Sequence, residues 1–232
     1  MSALFAGSRD VDSAGRPVPP KPPVVTDPAL MPVEEIPGLP RVLLIGDSIA
    51  MGYLLPVRAT LRGRAHVHCP PENCGDTGRG LRRLDAWLGA GRWDVIHFNF
   101  GLHDLKYLDG QGNYVAPARG QVVSPLPQYE AHLRELLSRL QRTGATLIFA
   151  TTTPVPSGTL ARIAGDEIAY NAVARRVMME TGVMVDDLHA LAAAQLIGLQ
   201  RPRDVHFTAT GYRRLGEAVA AIVAAVLPPP RR

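Results

Sequence analysis

The chain has 232 residues, 46% of them hydrophobic and 20% charged, with 25 Lys and Arg against 21 Asp and Glu for a formal net charge of +4. These values fit one globular domain with a sizeable core and require no second domain. The basic residues are nearly all Arg and are spread along the chain, with no zinc-finger spacing and no basic run beside aromatic platforms. That pattern reads as a solvated surface rather than a nucleic-acid footprint, while acidic substrates stay open.

Met1-Ser-Ala-Leu-Phe-Ala-Gly7 has neither a basic first stretch nor an apolar core of signal-peptide length, so a cytoplasmic location is the default expectation. The longest apolar stretch, Ala218 to Leu227, is too short and too rich in alanine to span a bilayer, and a soluble protein is expected. From Met1 to Pro40 the chain is rich in proline and poor in large apolar residues before Leu30, which predicts an extended arm over residues 1–40. Its first two dozen residues are expected to be mobile, and Ala29 to Ile36 to lie across the domain surface.

From Arg41 onward strand and helix patterns alternate. Leu43 to Ile45 is a buried strand, followed by a helix near Pro56 to Leu61 and a second strand over Ala65 to Cys69. Gly80 to Leu88 places Leu81, Leu84 and Leu88 at helical spacing, and Asp94 to Phe100 reads as the third strand. A long excursion from Leu105 to Leu126 comes next, with turn residues that predict a hairpin over Tyr107 to Val115. Tyr129, Leu133, Leu136, Leu137 and Leu140 then form one helical stripe, with Pro127 suited to its first turn and Gly144 as its stop. Thr146 to Ala150 is a fourth strand, Asp166 to Glu180 a helix ending at Gly182, and Val183 to Val185 a fifth strand. The last helix presents Tyr212, Leu215, Val219, Ile222, Val223 and Val226 on one face, with Thr208 placed to cap it.

Apolar strands joined by helical crossovers predict an α/β fold, a doubly wound three-layer α/β/α sandwich over residues 41–228 on a five-stranded parallel sheet. Active residues belong on the loops after the strands, and the distinctive sequences fall there. Gly46-Asp-Ser48 follows the first strand, Cys74-Gly-Asp-Thr-Gly78 the second, Gly101-Leu-His-Asp104 the third, and Arg203-Asp-Val-His-Phe-Thr208 precedes the last helix.

Those four motifs, in that order from about Leu43 to Leu227, resemble the GDSL or SGNH hydrolase superfamily, flavodoxin-like serine esterases and acylhydrolases. The resemblance implies Ser48 as nucleophile and His206 as base, with an oxyanion hole made by the N–H groups of Ser48 and Gly75 and by a side chain in the third motif. Where the superfamily has asparagine in Gly-x-Asn-Asp, His103 stands here. The chain is similar in this respect to a branch that carries Gly-Leu-His-Asp, often preceded by Asn as Asn99 precedes here. A neutral imidazole keeps one N–H donor, so His103 is the expected replacement, with burial for packing as the alternative.

The superfamily's Asp-x-x-His is also altered. Arg203 lies three residues before His206, and the nearby carboxylate is Asp204, two residues before. Asp204 is the candidate acid, and a backbone carbonyl near Arg203 is the alternative partner for the imidazole. Asp47, Asn99 and Asp104 are expected to shape the site from behind, the two aspartates by accepting backbone N–H groups in their turns.

The expected reaction is acyl transfer through an acyl-enzyme on Ser48, with hydrolysis falling in acid as the base takes up its proton. Small-molecule or carbohydrate esters with short acyl groups are the substrates the resemblance favours; the alternative is a ligand- or carbohydrate-binding module that has lost the chemistry. No cofactor or metal is expected. His66, His68, His97, His132 and His189 read as structural, and Cys69 and Cys74, spaced C-x4-C, fall short of four metal ligands. Two thiols are the default for the pair, with a loop disulfide as the alternative.

Overall fold

The computed structural model describes residues 30–230, without 32 and 196. The expected mobile start of the arm lies outside the described residues. Where the arm meets the domain, Ile36 N–H donates to His66 Nε2 at 2.8 Å, and Arg41 Nε donates to Glu35 at 2.9 Å.

In chain order the elements are β1 (Arg41–Ile45), α1 (Ser48–Thr60), β2 (His66–His68), α2 (Thr77–Leu88), β3 (Val95–Phe98), β4 (Tyr107–Leu108), β5 (Gln121–Val122), α3 (Leu126–Gln141), β6 (Thr146–Ala150), α4 (Asp166–Thr181), β7 (Met184–Asp186), α5 (Leu188–Gln195) and α6 (Ala209–Val226). Five strands form one parallel sheet in the order β2-β1-β3-β6-β7, with Leu43 level with His68 on one side and with Ile96 on the other. Helices cover both faces, α1 packing on α6, and α2, α3 and α4 packing in succession. Strands buried on both faces cannot alternate with polar residues, which is why Val42 to Ile45 read as a continuous apolar run.

The chain leaves β1 for β2 on one side and returns to β3 on the other, so the crossovers diverge between β1 and β3. In such sheets a crevice opens there, at the carboxyl ends of the strands, and ligands bind in it. Ser48 follows β1, and the 99–104 segment follows β3.

Two expectations are corrected. The helix expected near Pro56 to Leu61 begins at Ser48 and runs through Pro56. An interior proline costs a helix about 3 kcal/mol, and packing offsets it: Ile49, Tyr53, Leu54 and Val57 are all buried, and α1 lies against α6. The second helix starts three residues earlier than its apolar spacing suggested, at Thr77, because the Asp76 side chain accepts from Arg79 N–H at 2.9 Å and caps it.

In the excursion, Asp109 Oδ1 accepts from the N–H groups of Gln111 and Asn113, both at 2.9 Å, and the tight turn closes a single bridge between Leu108 and Tyr114. Val115 N–H donates to Tyr107 O at 3.3 Å, so the expected hairpin over Tyr107 to Val115 is present; Pro117 then starts a short 3-10 turn, and β4 pairs on its other side with β5.

Candidate active site

Gly46 makes the turn from β1 into α1 possible. A Cβ there would stand 2.6 Å from the Ala50 Cβ. Asp47, 2% exposed, caps α1 by accepting from Ile49 N–H at 2.9 Å, which leaves Ser48 as the first helical residue. First-turn N–H groups have no intrahelical acceptor, and that of Ser48 has no partner among the described residues. The nucleophile candidate therefore sits beside an open donor at the positive end of a helix.

His206 reaches Ser48 from the loop before α6. That loop folds on itself through a bridge between Gln200 and Phe207, with Arg201 N–H donating to His206 O at 2.8 Å. At its tip Pro202 is followed by Arg203 at φ +58°, and Asp204 N–H closes the turn on Arg201 O at 3.3 Å. Proline second and a positive φ third is the pattern of a type II turn, where glycine is usual.

This turn accounts for the displaced aspartate. It brings Asp204 Oδ1 to 2.6 Å from His206 Nδ1, in the place the alternative backbone carbonyl would have taken. A carboxylate only accepts, so Nδ1 carries the proton and the Nε2 lone pair faces Ser48 Oγ at 2.8 Å. Burial works against ionisation of Asp204, yet the hydrogen bonds from His206 outweigh it and hold the carboxyl below its ordinary range.

The segment after β3 is stapled to its neighbours. Asn99 Nδ2 donates to Ala150 O at 2.7 Å and Asn99 N–H to Ile45 O at 2.9 Å, tying the ends of β1, β3 and β6. Asp104 Oδ1 accepts from Thr77 N–H at 3.0 Å and Thr77 Oγ1 at 2.5 Å, joining this segment to the start of α2. Between them His103 lies on the wall of a cavity of about 380 Å³ that also holds Ser48, Asp204 and His206. Burial pushes its imidazole below the usual histidine range, with Lys106 and Arg162 adding to the effect and Asp47 opposing it.

Gly75, at φ +67°, donates its N–H to Asn73 Oδ1 at 2.9 Å, and Asn73 lines the cavity. With Oδ1 committed to Gly75, the Asn73 Nδ2 amide is left with no partner among the described residues.

Residues 44–214 match the GDSL-like Lipase/Acylhydrolase family. The chain belongs to that family. It is a carboxylic ester hydrolase. Among solved structures, this acylhydrolase is similar to the lipase/acylhydrolase from Enterococcus faecalis (18% identity, 84% of this chain and 100% of that one, TM-score 0.67). It is also similar to the acetyl xylan esterase AlAXEase (16% identity, 79% of this chain and 99% of that one, TM-score 0.65). A putative arylesterase from Agrobacterium tumefaciens str. C58 shares 19% identity over 82% of this chain and 100% of its own, with a TM-score of 0.63. At these identities the likeness is one of fold. No curated protein matches the chain.

Among the residues that sequence reasoning missed are Asn73 and Arg162 on the wall of the acylhydrolase's cavity and Lys106 beside His103. Asn73 had a local signal, since Asn two residues before a glycine is a common Asx turn. Arg162 had none; it reaches the wall because Ala161 adopts φ +56°, and its Nε donates to Leu102 O at 2.9 Å, next to His103. Ala161 and Arg203 are the two non-glycine residues at positive φ among the described residues, and each immediately precedes a charged residue of the cavity. Backbone strain placed this way is a frequent mark of functional sites.

Among the described residues no group of three His, Cys, Asp or Glu side chains is gathered as a metal site. Nor is any of their helices long and apolar enough to cross a membrane. The other histidines serve packing and pairing: His97 meets Asp186 at 3.0 Å in the core, and His132 Nδ1 lies 3.1 Å from Thr77 Oγ1. Burial pushes the Cys74 thiol up to about 12, which keeps it un-ionised and inert.

Asp104 carries a stability consequence. Burial raises its carboxyl from 3.8 to about 7, against the hydrogen bonds from Thr77. A folded value above the unfolded one means that ionisation costs stability. The cost is absent below about 3.8, grows through the window up to about 7 and is complete above it. At 1.36 kcal/mol per unit the full cost is on the order of 4 kcal/mol. Asp104→Asn, which keeps an acceptor for Thr77, is expected to match wild type in urea unfolding near pH 4 and exceed it by about 2–4 kcal/mol at pH 8. A pH-independent difference would assign the effect to packing instead.

Proposed function

We propose that Ser48, His206 and Asp204 form the catalytic relay of a serine esterase acting on short-chain carboxylic esters, with acetyl esters of carbohydrates as the favoured class. The observation that carries the reading is the unbroken line of contacts, 2.8 Å from Ser48 Oγ to His206 Nε2 and 2.6 Å from His206 Nδ1 to Asp204 Oδ1. His206 takes the Ser48 proton as Oγ attacks the ester carbonyl. The carbonyl oxygen becomes an oxyanion, and the alkoxide leaves with the proton returned by the imidazolium. Water, deprotonated by the same imidazole, then releases the acid from the acyl-enzyme. The N–H of Ser48 and the side chains of His103 and Asn73 are the donors for the oxyanion, with Asn73 in the role first assigned to Gly75.

For the substrate, the support is the modest cavity and its mixed wall. Leu102, Leu160 and Val205 supply apolar surface, while Asn73, Thr159 and Arg162 supply polar groups suited to hydroxyl-rich leaving groups. Similarity to the acetyl xylan esterase favours an acetyl group on a sugar. Release of acetate from acetylated xylooligosaccharides, compared with p-nitrophenyl butyrate and octanoate, tests the class. Preference for the octanoate would reverse it.

The relay itself is tested with diethyl p-nitrophenyl phosphate, which is expected to phosphorylate Ser48 and no other residue by peptide mass mapping. Labelling elsewhere, or none with activity retained, would remove Ser48 as nucleophile. The Asp204 carboxylate is 37% exposed, so solvent screens its effect on the imidazolium. Asp204→Ala is accordingly expected to lower kcat about a hundredfold, well short of the roughly ten-thousandfold loss at a buried triad aspartate. A loss below threefold would assign the orientation of His206 to its loop alone.

A further inference from the structure

Three residues beyond His103, Lys106 turns back on it, with Nζ 3.2 Å from His103 Nδ1. An ammonium has three N–H donors and no lone pair, so Nδ1 can only accept in this contact. A neutral imidazole accepting at Nδ1 carries its single proton on Nε2. His103 Nε2 has no partner among the described residues, and the residue lines the cavity that holds Ser48. Lys106 is itself held from the other side: its Nζ is 4.9 Å from the centre of the Tyr114 ring and 3.4 Å from the phenol oxygen. It makes no ion pair with a carboxylate among the described residues, so His103 and Tyr114 are the groups its charge meets.

We propose that Lys106 is a positioning residue that locks His103 in the Nε2–H tautomer and so makes it a one-proton donor to the oxyanion. The proposal rests on the reading of His103 as an oxyanion donor. An asparagine amide has its donors fixed by covalent structure and needs no such help. An imidazole has two tautomers, and only one of them leaves a donor at Nε2 when Nδ1 is turned away. The lysine thus completes the replacement of the asparagine: it selects the tautomer, and its charge opposes a second proton on the ring. No proton passes from His103 to the substrate; the donor polarises the oxyanion and keeps its hydrogen.

The test compares wild type, Lys106→Met, Lys106→Arg, His103→Ala, His103→Asn and the double variant His103→Asn/Lys106→Met, using p-nitrophenyl acetate kinetics and 15N NMR of the histidine rings. Loss of one whole oxyanion donor costs about a hundred- to a thousandfold in kcat, so loss of the tautomer lock is expected to cost Lys106→Met about ten- to a hundredfold with KM little changed. The His103 ring should change from a single Nε2–H form to a mixture, and Lys106→Arg should restore both readouts. In the His103→Asn background, Lys106→Met should change kcat by less than about threefold, because an amide has no tautomer to select.

A His103 ring that stays Nε2–H in Lys106→Met, or an equal kcat loss in the two backgrounds, would overturn the proposal. Wild-type kcat in His103→Ala would instead overturn the donor role beneath it. The NMR readout, which needs no turnover, separates that failure from a failure of the lock.

Discussion

Ser48→Ala is expected to abolish ester hydrolysis, lowering kcat by about ten-thousand- to a millionfold while the protein stays folded. The size follows from what is removed. On the proposed mechanism no acyl-enzyme forms without Oγ, and what remains is a carbonyl held near oxyanion donors and a base that must activate water in the wrong place. The fold should survive because the helix is capped by Asp47, whose carboxylate accepts from Ile49 N–H at 2.9 Å whether or not a hydroxyl follows it. His206→Ala should cost nearly as much, and the double variant little more than either alone, since the proposed relay joins the two side chains, 2.8 Å apart, into one unit. Turnover of p-nitrophenyl acetate with circular dichroism on each variant measures this. Additive losses would show that the two residues do not share a step.

The second large effect is on stability. Gly216 lies where α6 crosses α1, and a Cβ there would stand 2.5 Å from the Pro56 Cβ and 3.0 Å from Tyr53 O. Neither is the loose end of a flexible side chain. Gly216→Ala must therefore push the helices apart, and overpacking of this kind costs about 2–3 kcal/mol, or roughly 4–12 °C in Tm for a domain of this size.

Activity should fall with it, because Ser48 opens α1 and His206 lies three residues before α6. Separating the helices lengthens the contact between the two residues. Gly110→Ala is the control: its Cβ would meet nothing within 4 Å, and thermal unfolding should barely change. Equal melting of the two variants would show that α6 can move aside at no cost.

The strands and the order of the motifs were legible in the amino-acid sequence because each depends on neighbours along the chain. Apolar runs buried on two faces and Gly-Asp-Ser ending a strand are local patterns, and local patterns survive any packing that buries them. Ser48 and His206 stand out for the same reason, the first where β1 turns into α1 and the second in the loop just before α6.

What only the tertiary structure decided has in common that it depends on where a backbone points after a turn. The positive φ at Arg203 brings Asp204 to His206. That at Gly75 spends its N–H on Asn73 and leaves Asn73 at the cavity. Lys106 meets His103 because the segment after β3 curls back on itself, held by Leu105 N–H donating to Gly101 O at 3.0 Å. Helix α1 continues through Pro56 because α6 covers it, a contact between residues some 160 positions apart. Side-chain type selects the chemistry, but turn dihedrals and long-range packing select which side chain delivers it, and a sequence read by local pattern contains no term for either.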